Sequence, residues 1–181
     1  MPEESPVSAA TPSPDYQTPE PSVEPEESPV PTSTPSPSSA PEEVYTCTLS
    51  VRCDTVLNNV ANLNSDKTDL IPENGVIFPE TVLEFIPGES VFDVLLRAMK
   101  ENKIHFEFVN APFYGSTYVE GIGNLYEFDC GEISGWMYKV NGIFPNYGCS
   151  KYILKSGDKI EWIYTCDLGK DIGGENISQN Q

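Results

Sequence analysis

Three features of the 181 residues predict an α+β, β-grasp-like domain: a mostly antiparallel sheet with one main packed helix, preceded by a disordered arm. Proline content drops abruptly after residue 43, and all ten Lys and Arg residues lie beyond it. Segment 87–102 carries a complete set of helix signals. From residue 105 onward, short apolar-alternating runs are separated by Gly, Pro and Asn, which reads as strands and turns.

The arm, 1–43, holds twelve of the seventeen prolines and nine acidic residues, with no Lys or Arg. Such a segment buries too little apolar surface to offset its ordering entropy. An extended, partly polyproline-like course at ~3.1 Å per residue gives it a reach of ~130 Å, which suits a spacer. The opening Met-Pro-Glu-Glu-Ser-Pro, followed by repeated Thr-Pro, Ser-Pro and Glu-Pro steps, reads as the middle of a tether on an exported protein. The expected location is therefore extracellular or at the cell surface, with an intracellular tail as the competing reading.

The rest of the chain carries both tryptophans, all five cysteines and all ten basic residues. It divides into a domain over 44–170 and a flexible tail over 171–181. The net charge of −18 is shared about equally between arm and domain. Nucleic-acid binding is disfavoured, because counterion release needs clustered Lys and Arg. No apolar run approaches the ~20 residues of a membrane span, so no membrane insertion is expected.

The domain begins with Tyr45, Cys47, Leu49, Val51 and Cys53 alternating with polar residues, which predicts a strand with one buried face. Asp54 is a candidate cap for a short helix bearing Val56, Leu57, Val60 and Leu63. Two strands are expected around 75–78 and 81–86. In the main helix, Ser90 and Asp93 make a capping-box pair ahead of Val91, Val94, Leu95, Ala98 and Met99, and the helix should end near Asn102. Further strands are predicted at 105–109, 117–121, 125–129, 136–141, 152–154 and 159–165. Asn141-Gly142 is a type I′ hairpin signal, and Ser156-Gly157-Asp158 marks another turn.

Cys47, Cys53, Cys130, Cys149 and Cys166 are candidates for disulfides, with up to two bridges and a spare thiol, or else a reduced buried set. Cys47 and Cys53 lie ~20 Å apart along one strand and cannot pair with each other. None of the spacings is the C-x-x-C of a structural zinc site.

Two blocks carry a family resemblance: Gly88-Glu89-Ser90-Val91-Phe92-Asp93-Val94-Leu95-Leu96, and the run from Gly135-Trp136-Met137-Tyr138 through Trp162-Ile163-Tyr164-Thr165. Over about 44–170 the chain resembles the bacterial domain-of-unknown-function family grouped with the C-terminal β-domain of transcobalamin and intrinsic factor. The resemblance implies a soluble-ligand-binding β-grasp domain, often exported. In the animal relatives that domain forms one side of a cobalamin site against an α-helical barrel. It makes cobalamin a candidate ligand rather than a certain cofactor, and implies a partner domain that completes the site.

A corrinoid needs apolar surface bordered by amides, hydroxyls or free backbone groups. Loop residues Tyr114, Phe144, Asn146 and Tyr147 supply that mixture, and binding residues concentrate in loops. Trp136 and Tyr138 share a strand face by period two, so they serve either as ligand contacts or as sheet core. His105, the single histidine, has no catalytic signature around it. Nucleophile-elbow, phosphate-loop and dinucleotide patterns do not occur. No catalytic residue or metal ligand is nominated. The leading expectation is a binding module for a small molecule, with a corrinoid first; the alternative is a surface domain that recognises a protein or polysaccharide.

Overall fold

The β-rich pattern resolves into two sheets and one main helix in the computed structural model, which describes residues 43–111 and 115–174. Strands β1 (Tyr45–Arg52), β2 (Val76–Phe85), β6 (Gly135–Val140) and β7 (Lys159–Thr165) form a sheet of order β2-β1-β7-β6. β1 runs parallel to β7, while the β1/β2 and β6/β7 pairs are antiparallel. Strands β3 (Phe106–Ala111), β4 (Ser116–Ile122) and β5 (Leu125–Tyr126) make a second, antiparallel sheet. The expected β-grasp-like α+β class is borne out.

The single buried face of β1 forms as predicted, with Cys47, Leu49 and Val51 inward. Helix α2 (Val91–Glu101) also forms as its sequence dictates. Ser90 Oγ accepts the Asp93 amide at 3.3 Å, and Asp93 Oδ2 accepts the Ser90 amide at 2.8 Å. Val91, Val94, Leu95, Ala98 and Met99 are buried against the sheets. Phe92 joins Phe106 and Phe108 of β3, with ring centroids 6.1 and 4.8 Å away. Ser90→Ala should lower stability by about 1 kcal/mol, measured by urea unfolding. An unchanged midpoint would show that the box contributes nothing.

Five expectations change, one being that the strand expected over 125–129 is only the two-residue β5. The helix after Cys53 is only one turn, α1 (Asp54–Leu57), followed by a separate 3-10 turn at Val60–Asn62. Asp54 lies in the first turn, while Cys53 holds the cap position without a side-chain cap hydrogen bond. The two strands expected around 75–86 are one strand, β2. Pro79 is tolerated there because β2 is an edge strand and its register against β1 shifts between Leu49 and Val51.

Residues 152–154 do not form a strand; Ile153 makes one isolated bridge to Ser90. The Asn141-Gly142 turn forms with φ of 54° and 79°, both in the left-handed region that type I′ requires. Its return arm is only the Val140–Ile143 bridge. Beyond that bridge the chain leaves the sheet and becomes the rim of a cleft.

Candidate functional site

The cleft grows out of the end of β6. Asn141 fixes the turn: its side chain donates to Asp158 Oδ1 at 2.9 Å and accepts the Lys159 amide at 2.9 Å. That clamp holds the 143–147 loop away from β7. A 3-10 turn at Cys149–Lys151 follows and is tied to β4 through Ser150, whose Oγ accepts the Thr117 amide at 3.0 Å and lies 3.0 Å from Ser116 Oγ. Tyr152 is fixed next, because its carbonyl accepts the Val91 amide at the start of α2, at 3.0 Å.

These anchors leave a cavity of about 580 Å³ between the 141–147 loop, Tyr152 and Gly173. Its apolar surface comes from Ile143, Phe144, Pro145, Tyr147 and Tyr152. The Tyr147 and Tyr152 rings stack at 6.0 Å with 16° between planes. Ile143 is 71% exposed and Tyr147 47% exposed, so apolar side chains face solvent here. Lys139 supplies a cation at the edge, its Nζ 4.7 Å from the Phe144 ring centroid and 2.8 Å from the Ile172 carbonyl. Phe144, Pro145 and Asn146 make no hydrogen bond to another described residue.

Of the residues the sequence nominated, Phe144, Asn146 and Tyr147 line this cleft together. Tyr114 lies outside the described residues. Trp136 and Tyr138 turn inward, with exposures of 7% and 9%. Trp136 packs edge-on against Tyr164 at 5.2 Å and donates from Nε1 to the Leu125 carbonyl at 2.9 Å. Tyr138 stacks on Trp162 at 5.4 Å. Its hydroxyl, held well above the ordinary tyrosine range by burial, donates to the Tyr147 carbonyl at 2.6 Å. Tyr138 thus supports the cleft from beneath, and the aromatic pairs of β6 and β7 are core.

Ile143 and Tyr152 were missed from the sequence. The Asn-Gly turn could have flagged Ile143, whose position on a one-bridge return arm leaves it exposed. Tyr152 carries a weaker signal, since the 3-10 turn that brings it back to Tyr147 has no strong sequence marker.

All five cysteines are free thiols here. Burial pushes the thiols of Cys47 and Cys149 up to about 11 and that of Cys53 to about 12. None has the lowered pKa of a nucleophilic cysteine. His105 is exposed and stands by the Tyr126 hydroxyl at 3.3 Å. Among the described residues, no group of three or more His, Cys, Asp or Glu side chains is placed to hold a metal ion, and no helix is long and apolar enough to cross a membrane.

The raised thiol pKa values set a pH dependence. A folded pKa above the unfolded value of about 9 contributes stability that is complete below pH ~9 and lost as pH climbs towards 11 to 12. The urea midpoint should therefore fall between about pH 8 and pH 10.5. An equal midpoint at both would contradict burial of these thiols.

Sheet order, helix and cleft define a β-grasp-like α+β domain with an open aromatic groove at the end of its outer hairpin. Residues 88–165 match the model of a family described as Domain of unknown function (DUF4430). Among solved structures the chain is similar to haptocorrin in a complex with Cbi, at 18% identity and a TM-score of 0.52, over 70% of this chain. This chain spans only 26% of the haptocorrin chain. It is also similar to a Ruminococcus gnavus ATCC 29149 protein provisionally described as metal binding, at 17% identity and a TM-score of 0.38, over 67% of this chain and 96% of that one. No curated protein matches. The resemblance carried by residues 88–96 and 135–165 is borne out as a match to that family model over 88–165, and the haptocorrin likeness bears it out in fold.

Proposed function

We propose that this domain is a ligand-binding module whose site is the cleft over 141–152. The observation that carries this reading is a cavity of about 580 Å³ in which exposed apolar side chains meet unpartnered backbone groups at 144–146. That volume lies within the ~300–1,000 Å³ usual for small-molecule sites. Exposed apolar side chains gathered in one concave place mark a binding surface more often than scattered ones do.

A ligand with a broad apolar face and an amide rim fits this lining, and a corrinoid is the leading candidate. The stacked Tyr147 and Tyr152 would meet the ring face, while Asn146, the 144–146 backbone and Lys139 would meet the rim. The likeness to haptocorrin supports the fold on which such a site is built, and the cleft's openness favours a partner domain over its free side. Tyr114 remains a proposed contact, whereas Trp136 and Tyr138 serve as support. The arm, 1–43, is proposed as a spacer that holds the module at a cell surface.

Phe144→Ala and Tyr147→Ala are each expected to weaken corrinoid binding roughly 5- to 10-fold, an effect of about 1 to 1.4 kcal/mol, with little change in Tm. Isothermal titration with cobinamide gives the affinity, and calorimetric melting gives the Tm. Full affinity in both variants would remove the cleft from the site. A macromolecular partner found by glycan array or pull-down, without any small-molecule binding, would favour the surface-interaction alternative.

A further inference from the structure

Cys130 and Cys166 are 36 residues apart in sequence, yet their sulfurs lie 3.2 Å apart. Cys130 sits in the turn after β5, where its amide donates to Ser134 Oγ at 3.0 Å. Cys166 directly follows β7, and its amide donates to Asp171 Oδ2 at 2.8 Å. The two segments are joined independently on either side of the sulfurs. The Leu168 amide donates to the Ile133 carbonyl at 3.2 Å, and Ser134 Oγ lies 2.8 Å from the Tyr164 hydroxyl. The sulfurs stand only about 1 Å beyond a bond length of ~2.05 Å.

Among the described residues, no other pair of sulfurs is in contact. We propose that Cys130 and Cys166 form a disulfide when the chain folds in an oxidising compartment, while Cys47, Cys53 and Cys149 stay as buried thiols. The inference stands apart from the ligand reading. Its chemistry is two thiol–disulfide exchanges with a small disulfide such as oxidised glutathione. The half-exposed Cys166, as thiolate, attacks one glutathione sulfur and expels the first glutathione thiolate. The Cys130 thiolate then attacks Cys166 Sγ and expels the second. The two cysteines lose two electrons and two protons, and glutathione disulfide becomes two glutathione thiols.

Burial raises both thiols, Cys166 to about 12 through desolvation and then its contact with Cys130. Thiolates of such thiols are scarce at neutral pH and leave slowly, so the bond forms slowly in the folded chain and resists reduction once made.

The full chain is refolded with oxidised and reduced glutathione, denatured without reductant, alkylated and peptide-mapped. The expected result is a 130–166 linked peptide, with Cys47, Cys53 and Cys149 alkylated. Reductant should then lower the Tm by about 10 °C. Cys166→Ser should melt like the reduced wild type and show no response to reductant. Alkylation of all five cysteines, a link between any other pair, or a Tm indifferent to reductant would overturn the proposal.

Discussion

Tyr164→Ala should cost about 3–5 kcal/mol, enough to leave the domain marginally folded against a typical total of ~5–15 kcal/mol. Tyr164 is the largest fully buried side chain, with no exposed surface. Its ring packs against Trp136, with 76° between the planes, at the junction of the two sheets. Its hydroxyl donates to the Tyr126 carbonyl at 2.7 Å and lies beside Ser134 Oγ. Truncation therefore opens a cavity and strands two polar partners at once. Tyr164→Phe keeps the ring and removes only the hydroxyl, at about 1–3 kcal/mol. Urea unfolding should rank wild type above Phe above Ala. An alanine variant within ~1 kcal/mol of wild type would contradict the packing described here.

Gly148→Ala should cost about 1–3 kcal/mol through overpacking, and should displace the cleft wall as well. A Cβ at this position would overlap both side-chain atoms of Ser116. The farther of the two atoms, Ser116 Cβ, is bonded directly to the β4 backbone, so rotating the hydroxyl away does not relieve the clash. The loop would have to separate from β4 and break the Ser116–Ser150–Thr117 hydrogen bonds. The decisive comparison is Gly148→Ala with Ser116→Gly, which removes the obstacle. Partial recovery of the urea midpoint is expected in the double variant. No recovery would mean that some other contact makes residue 148 a glycine.

What was legible in the sequence was local. Helix α2 could be read because its cap, its apolar stripe and its end all lie within about a dozen residues. The Asn141-Gly142 turn was legible for the same reason, since the positive φ values are demanded by those two residues. β2 was misread as two strands because Pro79 breaks a central strand but not an edge strand, and edge position is a property of the whole sheet. Residues 152–154 were misread because their partner is the cap of α2, where Leu154 donates to the Glu89 carbonyl at 3.0 Å.

The candidate site divides along the same line. Phe144, Asn146 and Tyr147 were found because they share one loop between a turn and a 3-10 segment. Period two showed that Trp136 and Tyr138 share a face, but alternation alone does not say which face is inward. The proximity of Cys130 and Cys166 was hidden too, because it depends on β7 returning beside the turn after β5.

The cleft as a binding site is tested most directly by titrating cobinamide and cobalamin into the full chain and into the Phe144→Ala/Tyr147→Ala double variant, with Tm measured on both. The account predicts saturable binding to the wild type and at least a tenfold loss in the variant at an unchanged Tm. No binding at high micromolar ligand, or equal affinity in the two proteins, would contradict it.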